Sequence, residues 1–480
     1  MAPCGAPASP AYNLRNALRV IGPGAILLGL SLGSGDWLLG PVVVTRHGPA
    51  LLWICTASVL LQAALNAEMA RYTLATGEPI LGRVPPHAAL SRILGLGLFG
   101  PAPLPARLAG LGARRRDHRG RALLGRAPRD EDRAVVLALG YLLFAAAVGA
   151  VLLSRRGQDL LWHADRIFLV GTLLFLAILA VVLVPPPVWW AVAAGFAGPL
   201  VGVPRPPGDL DWALLTAFAA YSGAGGVVNA SLTHWMRDKG FGIAGIGGGA
   251  PVQIGGHRLH LVSEGMRLEP SEGELEKWRQ WWRYLGLHLG ILWVLGPMAA
   301  MALPVLVATH LVPFGSNMAG GAATIALARV LGADGNLWLW FPTLLAGLWI
   351  FFSTQRGVAE GFTRSVTEIP WTGSDRARAW AGERPARLYY GVLGAFAAAG
   401  AATLGLGDPP KLLLIGANVG ALGFVMLSVH TLWANRRLLP RARCGRRSGE
   451  RRWWWRAGSS SRRCWRGCWR ARLDVLALLR

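Results

Sequence analysis

The chain is 480 residues long, 53% hydrophobic and only 15% charged, with a mean hydropathy of +0.39. Such a composition excludes an ordinary soluble domain and indicates a polytopic membrane protein. The net charge of +24 lies in loops between apolar runs, so it encodes membrane topology and excludes nucleic acid as the partner.

Lys239, Lys277 and Lys411 are the only lysines. An arginine-dominated, Ala-, Gly- and Pro-rich chain fits a GC-rich coding sequence of bacterial origin. Five cysteines, three of them in the last 40 residues, define no disulfide framework.

Residues 1–20 read as a cytoplasmic tail, with Arg15 and Arg19 ahead of the first crossing. Ile21–Val44 is apolar enough to cross a bilayer but is interrupted at Gly33-Ser34-Gly35-Asp36. Glycines release the backbone from helical geometry, so the expectation is two half-helices joined by an unwound turn. A carboxylate at that depth is costly to bury, which makes Asp36 a functional candidate. Span 2 begins at Leu51–Ala64 and continues to Glu68 and Arg71, an i,i+3 ion pair by spacing. Spans 4 and 5 are Ala134–Leu153 and Phe168–Val184. Span 6, Trp212–Met236, repeats the first pattern, broken at Ser222-Gly223-Ala224-Gly225-Gly226. Arg237–Gly242 and the glycine-rich run after it read as a flexible cytoplasmic loop. Spans 7 to 10 are Leu285–Val307, Leu337–Phe352 with a polar continuation, Tyr389–Leu406 and Leu412–Leu432. Each approaches the ~20 apolar residues needed for a ~30 Å hydrocarbon layer. In the continuation of span 8, Arg356 and Glu360 are spaced for an i,i+4 pair.

Span 3 is the irregular one. Its apolar part, Leu90–Leu111, is cut by Pro101, Pro103, Pro105 and Arg107, a poor helix. Charge nevertheless demands a crossing there. With it, the Arg-rich loops Ser154–Arg166, Arg237–Arg283 and Ser353–Arg387 face the cytoplasm. The basic-poor loops Pro185–Leu210, His310–Asn336 and Gly407–Lys411 then face outside. The reading adopted is that roughly Arg83–Arg129, and the Trp- and Arg-rich tail from Arg441, are translated out of frame. The expected organisation is a first five-helix repeat over 21–184, an extracytoplasmic loop over 185–211, a second repeat over 212–435 and a basic tail over 436–480. Both termini are expected in the cytoplasm.

Two glycine-broken spans in corresponding positions of two halves point to a transporter's central site. Five spans and five more, with the first of each set broken, is the arrangement of the amino acid–polyamine–organocation superfamily. That arrangement is an all-α, 5+5 inverted-repeat (LeuT-like) bundle with discontinuous helices 1 and 6. Within it, Gly22-Pro23-Gly24 and Gly35-Asp36-Trp37 resemble the Gly-Pro-Gly and Asp-Pro-Gly-Asn-Trp of the natural resistance-associated macrophage protein (Nramp) family of divalent metal transporters. The resemblance covers Gly22–Glu78 and Ala134–Asn435. Gly33 stands where that family has its metal-binding Asp, Ser34 where it has Pro, and Asp36 where it has Asn. Its Met-Pro-His becomes Gly223-Ala224-Gly225, and Ala220 matches the alanine whose carbonyl is a ligand. Gly225 and Ala230 occupy its histidine positions.

The resemblance implies a secondary transporter of divalent cations in the cell membrane, a symporter where protons are coupled, with alternating access and no resident cofactor. The lost thioether shifts the expected cargo from transition metals towards harder ions. Candidate binding residues are Asp36, Gly33, Ala220, Tyr221, Ser222 and Gly223, with Gly33, Gly35, Gly223, Gly225 and Gly226 making the breaks. Asp36 can be a cation ligand, a cap for the half-helix it precedes, or both. Tyr221, Ser222 and Asn229 are hard oxygen donors; Asn229 reads better as an interhelical hydrogen-bonding residue. His234 is a candidate proton relay, set against a plain solvated histidine near the interface. Gly245-Ile-Gly247 lacks the strand context of a dinucleotide site, and no nucleophile–base set suggests an enzyme. Two alternatives remain open: an organic-solute transporter of the same superfamily, and a non-transporting sensor or remnant.

Overall fold

The computed structural model describes residues 35–82, 133–153, 155–203, 210–245, 272–315, 337–382, 384–405 and 409–439, with short pieces near the N terminus and over 251–268. Gly33, the third span at 90–111, the 83–129 segment and the tail from 441 lie outside the described residues.

A π-helical turn, Gly35–Leu39, leads into α1 (Gly40–His47). A second π turn, Ile291–Leu295, joins α8 (Glu272–Gly290) to α9 (Gly296–Leu311). Both turns run into the same tripeptide, Leu39-Gly40-Pro41 and Leu295-Gly296-Pro297. Proline has no N–H for the carbonyl four residues back, so the α-helical ladder loses a rung where each π turn sits. The two helices meet closely: a Cβ on Gly40 would fall 2.2 Å from Met301 Sδ.

α2 (Trp53–Thr76) contains neither Gly nor Pro and runs unbroken until Gly77, whose φ of 72° supplies a left-handed cap. α3 (Arg133–Val151) and α4 (Arg155–Leu183) complete the described part of the first half. α5 (Pro186–Ala197) follows, opened by proline in its first turn. The connection read as a loop over 185–211 thus carries a helix. Thr56 Oγ1 of α2 donates to the Phe196 carbonyl of α5 at 2.9 Å.

In the second half, α6 (Trp212–Tyr221) is capped by Asp211, whose carboxylate accepts from Leu214 N at 3.0 Å. After the break come a 3-10 turn, Gly226–Ala230, and α7 (Ser231–Asp238). α10 (Leu337–Gly373), α11 (Asp375–Trp380), α12 (Pro385–Gly405) and α13 (Pro409–Arg437) finish the bundle. Strands are minor: β1 (Pro3–Cys4) pairs in parallel with β4 (Arg267–Leu268), and β2 (Pro251–Ile254) forms a hairpin with β3 (His257–His260).

Among the described residues, five stretches are long and apolar enough to cross a membrane: Pro49–Thr76, Asp159–Leu183, Glu276–Leu311, Pro385–Gly405 and Leu412–Arg437. α6 and Leu137–Val151 are shorter apolar helices. Leu142, Leu174, Val181, Val182, Leu422 and Val425 stand exposed on their outer faces, as suits contact with lipid. The chain is a multi-pass membrane protein. Its main core joins α1, α2, α4, α6, α9 and α10 around Trp37, Val43, Leu52, Phe218, Met301 and Phe351.

The described part of the loop expected to be flexible after α7, residues 239–245, is instead packed. Phe241 and Ile243 are buried, and Gly242, at φ +60°, lies against the Leu74 carbonyl, where a Cβ would be 2.7 Å away. Gly242 permits this close approach to α2.

Close approach also fixes α5. A Cβ at Gly195 would stand 2.2 Å from the Pro49 carbonyl oxygen, whereas Gly171 on α4 faces open space. Gly195→Ala is therefore expected to destabilise by about 1–3 kcal/mol through overpacking, and Gly171→Ala to be neutral. Thermal unfolding of the purified protein in detergent checks this; equal midpoints for the two variants would contradict the packing.

Candidate functional site

Asp36, the described end of the first break, meets the second break inside the bundle. Asp36, in the first turn after the first break, is 1% exposed. Its Oδ1 accepts a long hydrogen bond from Gly223 N of the second break, at 3.5 Å, and its Oδ2 has no hydrogen-bond partner among the described residues. Asp36 thus turns towards the other half, where a simple cap would turn to its own helix. A second tie joins the far ends of the same helices, with Arg46 Nη1 3.2 Å from Asp211 Oδ2.

The second break is opened by glycines. Gly223, Gly225 and Gly226 have φ of 87°, 73° and 54°, values that side-chain-bearing residues adopt only at a cost. α6 ends at Tyr221; its ring and the Ala220 carbonyl both border Gly225. Ser222 is fully buried and its hydroxyl donates back to the Phe218 carbonyl at 2.7 Å.

α2 closes one side of this space with residues that the broken spans did not point to. Ser58 Oγ donates to the Ala219 carbonyl at 2.5 Å. Gln62 Nε2 donates to the Ser222 carbonyl at 2.5 Å and to Ser58 Oγ at 3.1 Å, while Gln62 Oε1 accepts from Asn229 Nδ2 at 3.3 Å. The buried free thiol of Cys55 meets Ser222 and lies within electrostatic reach of Asp36. Cys55, Ser58, Gln62 and Asn66 share one helical face, a polar strip on an apolar helix that the 3.6-residue period makes visible in the sequence.

His234 is not the solvated histidine of the sequence expectation. It is 2% exposed, and its Nε2 lies 2.6 Å from Glu368 Oε2 on α10. Arg237 binds the other oxygen of Glu368 and sits 3.6 Å from Asp238, which pairs with Arg364. Arg364 Nη1 is in turn 3.5 Å from Glu360 Oε1. Arg356, assigned to Glu360 by spacing, reaches across to Asp165 of α4. The Glu68–Arg71 pair forms as spaced, at 2.7 Å.

Among the described residues no group of three or more His, Cys, Asp or Glu side chains converges on one point. Any cation held at the breaks would be bound by one carboxylate, neutral oxygens and the ends of two half-helices.

This bundle of apolar helices, with the break of the sixth span facing Asp36, has the all-α, 5+5 inverted-repeat (LeuT-like) fold of polytopic membrane proteins. A solved member of that fold, the manganese transporter of Eremococcus coleocola in complex with an aromatic bis-isothiourea substituted compound, is similar to this chain with a TM-score of 0.54. The likeness covers 90% of this chain and 89% of that one, at 13% identity. No family model matches the sequence, and no curated protein matches it.

Proposed function

We propose that the chain is a secondary transporter of divalent metal ions, binding its cargo at Asp36 between the two breaks. The observation that carries this reading is the Asp36 carboxylate, buried, with Oδ2 lacking a partner among the described residues, facing the unwound second break. An unpaired buried carboxylate costs several kcal/mol, and a bound cation removes that cost. The half-helix ends assist: the carbonyls at the end of α6 carry the negative end of its dipole. The manganese transporter with the same fold makes a divalent cation the natural first probe.

Oxygen donors dominate, which suits hard ions such as Mn²⁺, Mg²⁺ or Ca²⁺. The Gly223–Asp36 contact argues against an organic carboxylate as cargo. The N–H that would greet such an anion already faces one, and the two carboxylates would repel.

The test is uptake of Mn²⁺, Mg²⁺ and Ca²⁺ into proteoliposomes holding the purified protein, with and without an imposed proton gradient. Saturable uptake of one ion that the others compete for is expected. No uptake of any ion, with the protein folded, would overturn the reading, and a rate indifferent to the gradient would remove protons, and His234 as their relay, from the cycle.

A further inference from the structure

α2 carries Ser58, Gln62 and Asn66 at four-residue intervals, one above another on a single face. The first two are answered by the second break, as described. Asn66, one turn further along, is not: it is fully buried, yet neither Nδ2 nor Oδ1 has a partner among the described residues. At the neighbouring turn Asn229 commits Nδ2 to Gln62 and to the Gly226 carbonyl, at 3.3 and 3.0 Å, and its Oδ1 is likewise buried without a partner. A leucine at position 66 would have the same branched shape without an unmet amide, and it is a common residue in an apolar helix. Two buried amide oxygens with no partner among the described residues, one a helical turn beyond Gln62 and one on the asparagine bonded to it, are an arrangement that asks for a ligand.

We propose that Asn66 and Asn229 form a second cation station, about one helical turn (~5 Å) from the Gln62 level towards the Arg237 end of the bundle. There a partly hydrated divalent ion rests after leaving Asp36. The station rests on the transport reading given above. Its chemistry suits transit: neutral amide oxygens attract a hard cation, and the absence of a carboxylate lets it go. An ion path needs sites that are favourable to enter and easy to leave. Gln62, bonded to the Ser222 carbonyl on one side and to Asn229 on the other, separates the two stations.

The experiment uses the full chain, with Mn²⁺ as the probe, comparing binding, uptake into proteoliposomes and thermal unfolding. Asn66→Leu is expected to slow uptake about tenfold or more while keeping the Mn²⁺ affinity of the Asp36 site within about threefold and the unfolding midpoint equal or higher. Asn66→Asp is expected to bind a second equivalent of Mn²⁺ and to release it slowly, so uptake falls as binding rises. Wild-type uptake in Asn66→Leu overturns the station, as does a single bound equivalent in Asn66→Asp. A lowered midpoint accompanying the loss of uptake in Asn66→Leu also overturns it, because the amide would then be structural. Wild-type protein that neither binds nor moves Mn²⁺ removes the transport reading and the station together. Active wild type with indifferent Asn66 variants removes the station alone.

Discussion

Asp36→Asn is expected to weaken divalent-ion binding by about a hundredfold, ~2.7 kcal/mol, with the fold intact. Asparagine keeps the shape and an acceptor oxygen for Gly223 N, so the exchange isolates the charge. At an effective dielectric near ~20, two unit charges ~4 Å apart are worth about 4 kcal/mol, and a divalent ion doubles that before the cost of stripping its water. The same exchange has the opposite effect on the metal-free protein. Removing a buried carboxylate with one oxygen unmet among the described residues should hold or raise the unfolding midpoint, because an uncompensated charge burdens the fold. Calorimetric titration with Mn²⁺ and thermal unfolding without metal read the two effects separately. Unchanged affinity would sink the metal site, and a lowered midpoint would show Asp36 to be structural.

The largest stability effect is expected at Glu368. One carboxylate there answers His234 and Arg237, all three side chains no more than 3% exposed. Glu368→Leu leaves the Arg237 guanidinium buried with one of its two acid neighbours gone, a change that typically costs about 3–5 kcal/mol. Replacing both, Arg237→Met with Glu368→Leu, should recover most of that loss, since a buried ion pair and a well-packed apolar pair are often equivalent. The double variant tests whether the cluster holds α7 to α10. A double variant as unstable as the single one would mean that shape, not charge, joins the helices.

Spans 2, 5, 7, 9 and 10 were legible because lipid demands uninterrupted apolar runs, and the second break because three glycines within four residues permit what other residues resist. Asp36 stood out as a lone acid in such a run. What the apolar runs understate is how far helices continue past the hydrocarbon. α4 begins at Arg155 and α10 ends at Gly373, because polar residues keep a helix going once water or protein, rather than lipid, surrounds it. Partners distant in sequence stayed hidden for another reason. His234 and Glu368 are separated by 134 residues, and no local spacing predicts their meeting. Local spacing even misled at Arg356, whose partner Asp165 lies 191 residues away. Gln62 and Asn66 were within reach of the sequence, had α2 been read for polar as well as apolar periodicity.

The length of α10 has a mechanical consequence. At ~1.5 Å per residue its 37 residues make a rod about 55 Å long, against a hydrocarbon layer of ~30 Å. A pivot of about 10° near its middle would sweep either tip through some 4–5 Å, while residues beside the pivot hardly shift. Small rearrangements around the breaks would be magnified at Asp375 and Arg376, just past the end of the rod, which makes that corner the place to attach a spectroscopic label for following the proposed transport cycle.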